Sequence, residues 1–587
     1  MTLSARSFLP FCLSVLLVGA ESTPTMPLQD VRVGMKGEGR SVFTGGKIES
    51  FKFEVLGVQR NYAPGRNLIL VRCSGGPLAE TSILAGMSGS PCYVDGKLVG
   101  ALSRGFAFAK DPVGAITPIG EMFEDLRNLP DTPSSRTPLI LPKLEPPKVL
   151  KNAMLGQMIP ISELMGGGLP GPDGSAALPM TLFGSELTPE AKALWAGLPV
   201  RFLGGATLGS TGEGQASPVE PGGMLAINLC QGDLQFATAG TITYMSGKKV
   251  MLFGHPMFNL GAVDLPLWSA TVAVSMGSYQ ESTKLAQAVA PIGALRLDRS
   301  SGVAGVLGAE ARMVPMRVGL DLAGKRNLNF KFELMDHPFV TPNLAAMILA
   351  QTISSNVRGI GMQSLALQGN IKIANHPALQ IECMVADMNA NRLAQYLGSM
   401  IQAVSMNPFE KPVIEGISIS VKAEERLDLT VLAGVRLLKA RVKRGQVLPV
   451  LVTLQNVQGV RETTTFNLNV PMAARPGLAT LQVGDGFSLI QADTDERSIE
   501  INGLGDIVRL LNNAMRNNHL YGLLIQTAPG AGLRGSRIEA VPPTITSLLS
   551  SNGDADGNRL KHQVVSRGVL PLDSEVHGFI TLELEIE

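Results

Sequence analysis

The run Gly86-Met87-Ser88-Gly89-Ser90-Pro91, with Cys92-Tyr93-Val94-Asp95-Gly96-Lys97-Leu98-Val99-Gly100-Ala101-Leu102 behind it, constrains this chain more than any other stretch. Small residues on both sides of one hydroxyl allow a sharp turn, and residues 91–102 read as strand, Asp-Gly turn, strand. A turn of that kind holds Ser88 outside the strand and lets the amides of Gly86 and Ser88 converge on a developing oxyanion. The plain alternative is a glycine-rich hairpin turn that only packs.

Composition agrees with a strand-and-turn protein. Hydrophobic residues make up 45% of the 587 and charged residues 17%, with 65 Gly and 38 Pro, which favours all-β or α+β over helical bundles or disorder. The length suffices for about three or four domains. A formal net charge of +1 and the lack of a basic run interleaved with aromatics argue against a nucleic-acid partner. Arg6, the apolar run Ser7 to Val18 and the small residues Val18-Gly19-Ala20 read as a signal peptide over residues 1–20, so the mature chain is expected outside the cytoplasm without a stable membrane span. An uncleaved N-terminal anchor is the lesser reading. Cys73, Cys92, Cys230 and Cys383 remain, with no CxxC spacing; they read as buried thiols, with a Cys73–Cys92 bridge as the alternative.

Along the chain, Phe51-Lys52-Phe53-Glu54-Val55 alternates with period two, and Leu68-Ile69-Leu70-Val71 supplies another strand. These belong to a serine-bearing half over residues 26–127. Six prolines mark a linker over 128–151. A second half over 152–318 has a short helix from Thr188 to Leu198, then strands through Met224–Leu229 and Ala239–Tyr244, and a hairpin through Ser246-Gly247 into Val250–Phe253. Gly254-His255-Pro256 comes next. Residues 319–410 read as a mixed α/β connection with helices at Leu344–Asn356 and Ala390–Val404. Alternation returns over 411–587, which predicts a β-sandwich or α+β region with a helix at Ile507–Arg516 and a closing strand at Phe579–Ile586.

The hexapeptide and its hairpin resemble the Gly-Asp-Ser-Gly-Gly-Pro of trypsin-like enzymes and, more closely, the Gly-Met-Ser-Gly-Ser-Pro of the SpoIVB peptidase family. Gly240-Thr241-Ile242-Thr243, the hairpin into Gly254-His255, Asp298-Arg299, Gly302-Val303-Ala304-Gly305 and Pro315–Val318 are similar to the family's histidine half. The resemblance implies two packed antiparallel β-barrels of the trypsin-like kind. It departs from the family in three ways: the serine half precedes the histidine half, Cys73 stands where the family's acid is expected, and no peptide-binding domain leads the catalytic part.

Six histidines exist, and none precedes Ser88. His255, in its Gly-His-Pro turn at a strand end, is therefore the candidate base. Asp264, close in sequence, is the candidate acid, with Asp111, Asp233, Asp298 or a Ser-His dyad as alternatives. No His-Glu-x-x-His or similar spacing points to a metal, and no cofactor motif is present. The functional expectation is an exported serine endopeptidase acting on a protein or peptide substrate, with catalytic Ser88, His255 and Asp264 and an oxyanion site at Gly86 and Ser88. The alternative is a catalytically inactive envelope scaffold of the same shape.

Overall fold

The computed structural model describes residues 23–587 apart from 107–108, 110, 128, 131–145, 161–162, 164–179, 197–199, 205–215, 325, 358–360, 491–500, 534–535, 540–543 and 545–558. The expected signal peptide lies outside the described residues. The protein is mainly β.

Six strands, β1 (Lys36–Val42), β2 (Ile48–Ala63), β3 (Arg66–Ser74), β4 (Ser90–Val94), β5 (Lys97–Gly105) and β6 (Val113–Pro118), close into an antiparallel barrel of order β1-β2-β3-β6-β5-β4. Period-two alternation explains how it fills: Phe51, Phe53 and Val55 of β2 point into the core while Lys52 and Glu54 face out. The β4–β5 turn is the Asp95-Gly96 pair, both with positive φ (48° and 74°), as a tight hairpin of matching twist requires.

A second set of six strands lies downstream: β7 (Met224–Gly232), β8 (Phe236–Ser246), β9 (Lys249–Leu252), β10 (Gly261–Met276), β11 (Thr283–Arg299) and β12 (Gly302–Leu307). Their antiparallel pairings run β7-β8-β9-β12-β11-β10 and return to β7. This is the order of the first barrel repeated, strand for strand. The two rings touch edge to edge through reciprocal bonds between Gly45 and Val272 (2.8 and 2.9 Å) and a bridge of Ala85 with Thr283.

Beyond the second ring, β7 also pairs with Asn327–Met335, which fuses the ring to a mixed sheet of Met313–Leu322, Ile414–Glu424, Gln363–Ile373 and Leu379–Asp387. The sheet therefore runs across the boundary expected at 411, because Ile414–Glu424 lies parallel to Met313–Leu322. Two helices pack on it: Val340–Ser354, buried from Val340 through Ile353, and Asn391–Ser405. A helix apolar on every side belongs in a core, and this one is there. The expected Pro-rich linker also ends earlier than 151, since Pro146–Met154 is helical. The short helix expected from Thr188 spans Pro189–Ala193, with the Thr188 hydroxyl accepting the Ala191 amide as N-cap (3.4 Å).

Two further sheets share one apolar core. One joins Leu429–Leu437, Val447–Asn456, Arg461–Asn469 and Glu575–His577; the other includes Gly477–Asp485, His519–Leu533 and Phe579–Ile586. The expected helix near Ile507 is Leu504–Asn512. Side chains of Asn512, Asn517 and Glu575 accept the amides of Gln380, Met384 and Ala386, so the edge strand Leu379–Asp387 is covered.

Candidate active site

In each ring the connection from the third to the fourth strand carries one of the two candidate groups: Ser88 between β3 and β4, His255 between β9 and β10. The rings bring them together. Although 167 residues separate them, Ser88 Oγ and His255 Nε2 lie 2.9 Å apart. The other ring nitrogen, Nδ1, is 2.7 Å from the Pro256 carbonyl. A carbonyl can only accept, so the proton sits on Nδ1 and leaves Nε2 free to accept from the serine. That is the tautomer a general base needs.

The serine turn displays its donors as the small residues predict. Gly86 and Gly89 have φ of 95° and 94°, conformations open to glycine. The amides of Met87, Gly89 and Ser90 are satisfied by Leu84, Leu102 and Met87 carbonyls at 3.0, 2.7 and 2.9 Å. The amides of Gly86 and Ser88 carry no hydrogen bond among the described residues. Two unbonded donors bracketing a serine that contacts an imidazole can receive an oxyanion.

The carbonyls of the turn are tied from the second ring. Thr241 Oγ1 donates to Gly86 O (3.0 Å), the Thr241 amide to Ser88 O (2.8 Å), and Thr243 Oγ1 to Gly89 O (2.7 Å). Gly89 fits so closely that a Cβ there would stand 2.0 Å from Thr241 O and 2.5 Å from Phe253 N. On β8 the Thr-Ile-Thr alternation puts both hydroxyls on the face toward the serine, a signal the sequence carries but does not direct to a partner. Lys284, fully buried on β11, donates to Ser41 Oγ (2.7 Å) and to Gly86 O (3.4 Å). Flanked by Thr283 and Leu285, it reads in sequence as an ordinary strand lysine.

The histidine loop is braced differently. Asp298, wholly buried on β11, accepts the amides of Met257, Phe258 and Leu260 at 2.8, 2.8 and 3.1 Å. Burial pushes its carboxyl above the usual range, against the pull of those amides. Thr117 Oγ1 of the first barrel donates to Gly254 O (2.6 Å). Phe253, with φ of 70°, stacks on the imidazole at 5.5 Å between centroids. Desolvation lowers His255 to about 4, opposed by the Pro256 bond and reinforced by Arg104.

Asp264, the expected acid, is not at the imidazole. It forms a buried ion pair with Arg296 on the neighbouring β11 and accepts the Arg312 amide (3.2 Å). A buried guanidinium needs a carboxylate, and strand pairing puts this one in reach. Of the alternatives, Asp298 holds the loop and not the ring, and Asp233 accepts the Lys331 amide (2.7 Å). Cys73 is a core thiol of the first barrel, pushed up to about 12 by burial, and all four described cysteines are free and buried. No carboxylate is bonded to either nitrogen of His255 among the described residues.

No cluster of three or more potential metal ligands occurs among the described residues, and none of their helices is long and apolar enough to cross a membrane. Ser88 and His255 are 5% and 6% exposed, so both are buried side chains. Comparison with family models, curated proteins and solved structures yields no match to this chain.

Proposed function

We propose that the chain is an exported serine endopeptidase working through a Ser88–His255 dyad, with a carbonyl in the place of an orienting acid. The observation that carries the reading is the 2.9 Å contact of Ser88 Oγ with a correctly tautomeric His255, beside two unbonded amides. Further support comes from the paired six-stranded rings, the architecture that the resemblance to SpoIVB peptidases implies.

In this reading Ser88 Oγ attacks the scissile carbonyl and its proton passes to Nε2, while the Gly86 and Ser88 amides take the oxyanion. Collapse expels the amine, which collects the proton from the imidazolium. Water, deprotonated by the same nitrogen, then releases the acyl group. The Pro256 carbonyl fixes the tautomer but brings no charge to offset the imidazolium, so turnover is expected below that of an acid-supported triad.

A second reading, a peptidase-shaped scaffold without activity, is favoured by the deep burial of both groups and the missing carboxylate. A fluorophosphonate probe separates the two. Stoichiometric labelling at Ser88, lost in His255→Ala, is the expected result; an unlabelled, folded protein would leave the scaffold. Export follows from Arg6 and the apolar run to Val18, and is tested by sequencing the mature N-terminus, expected near Glu21.

A further inference from the structure

Each peptide that offers an amide to the oxyanion has its carbonyl held from behind, and both holds lead to one residue. Ala85 O, on the peptide ending in the Gly86 amide, accepts the backbone amide of Lys284 (3.0 Å). Met87 O, on the peptide ending in the Ser88 amide, accepts the Ser90 hydroxyl (2.7 Å). Ser90 Oγ is 3.0 Å from Ser41 Oγ, which is 2.7 Å from Lys284 Nζ.

The Ser90 hydroxyl has one proton and two acceptors, the Met87 carbonyl at 2.7 Å and Ser41 Oγ at 3.0 Å. An ammonium has donors only, and Lys284 donates to Ser41 Oγ. It thereby competes for the lone pairs of Ser41 and leaves the Ser90 proton to the Met87 carbonyl, an effect little screened in a low-dielectric interior. The pull on the Met87 carbonyl makes the Ser88 N–H a stronger donor.

We propose that Lys284 is a positioning residue that, through Ser41 and Ser90, orients and polarises the Met87–Ser88 peptide and so strengthens the oxyanion site. The proposal rests on the reading of Ser88 as nucleophile for its catalytic consequence, but not for the relay itself. Ser41, Ser90 and Lys284 are all fully buried, so water cannot stand in for any link. Around the ammonium are Ser41 Oγ, the Gly86 carbonyl and the Phe43 ring at 5.4 Å, and no Asp or Glu pairs with it among the described residues. Its environment is one in which burial lowers the amine to about 7, while His255, the titrating group of the site itself, sits near 4.

The sequence offers a direct probe. Met is followed by Ser only at Met87-Ser88 and Met245-Ser246, so protein carrying carbonyl-13C Met and 15N Ser gives two coupled amide signals. Between about pH 5.5 and about 9, where a lysine lowered this far titrates and His255 does not, the Ser88 signal is expected to move through one inflection. That inflection should vanish in Lys284→Met and in Ser90→Ala. A stationary Ser88 signal, or the same inflection in Lys284→Met, overturns the relay. If Lys284→Met does not fold, Ser90→Ala removes the last link with the lysine in place and decides alone.

Fluorophosphonate labelling supplies the second readout. Lys284→Met and Ser90→Ala should each slow the maximal labelling rate about tenfold, a fraction of the loss from removing an oxyanion donor outright, with the half-saturating probe concentration unchanged. Equal rates in wild type and both variants overturn the proposal. A wild type that never labels but whose Ser88 signal titrates would remove the peptidase reading and leave the relay standing.

Discussion

The two six-stranded rings share one plan and hold their chemical groups in opposite ways. Both run 1-2-3-6-5-4, and both place the group of interest between strands three and four. The histidine loop is braced chiefly from its own ring, by the Asp298 carboxylate gathering three amides. The serine turn bonds its Met87, Gly89 and Ser90 amides within its own ring but takes the braces on its Gly86, Ser88 and Gly89 carbonyls from the other, from Thr241, Thr243 and Lys284. The turn therefore depends on the docking of the rings for three carbonyl partners, whereas the loop of His255 carries most of its own support.

The largest test of that contrast is Gly89→Ala. The added carbon collides with Thr241 O and Phe253 N, both backbone atoms of the other ring, at a residue whose φ is 94°. A loss above about 3 kcal/mol is expected by denaturant titration. Gly96→Ala is the control: its φ is 74° but nothing lies within 4 Å, so strain alone should cost about 1 kcal/mol. Equal costs at the two positions would mean that the docking of the rings does not constrain the turn.

Asp264→Asn comes next. It strands the buried Arg296, and a loss of about 3 kcal/mol is expected. The fraction that remains folded should label at the wild-type rate, since Asp264 does not touch the imidazole. Labelling that fell in step with a lost catalytic acid would restore Asp264 to the site.

Acidity probes the histidine loop. The neutral ring is the base, and protonation removes it, so labelling is expected to survive well below the ordinary histidine value and to fall with a midpoint near pH 4. The same depression has a stability consequence with a definite sign. From pH 6.5 down to about 4 the unfolded chain takes up the proton first, and this contribution to stability is lost as pH falls. An activity midpoint at 6.5 would mean that the ring is not desolvated when it works.

The smallest effect belongs to a single brace. Thr243→Val removes the hydroxyl on Gly89 O and leaves that buried carbonyl short of a partner, at about 1 to 2 kcal/mol by thermal or denaturant unfolding. A neutral substitution would show that the turn keeps its shape without the neighbouring strand.

The serine turn was legible because its chemistry is local: glycines that free the backbone, a hydroxyl between them, and an Asp-Gly hairpin behind. His255 was legible because the other five histidines lack its strand-end turn after the Gly-Thr strand. Asp264 misled because nearness in sequence says nothing about pairing, and the strand next to it holds Arg296. The Gly-Thr-Ile-Thr strand was visible as a motif, but the partners of Thr241 and Thr243, and Lys284 altogether, were not, because those partners lie more than 150 residues away. The repeated strand order was invisible too, since a barrel needs only apolar alternation on its inner face, and many sequences supply that.

Each ring closes on itself through its first and fourth strands and lends no strand to the other. Because each ring pairs within itself, either order along the chain would preserve the pairings inside both. A serine half ahead of a histidine half is then no topological anomaly. It is one of two orders that leave both rings whole.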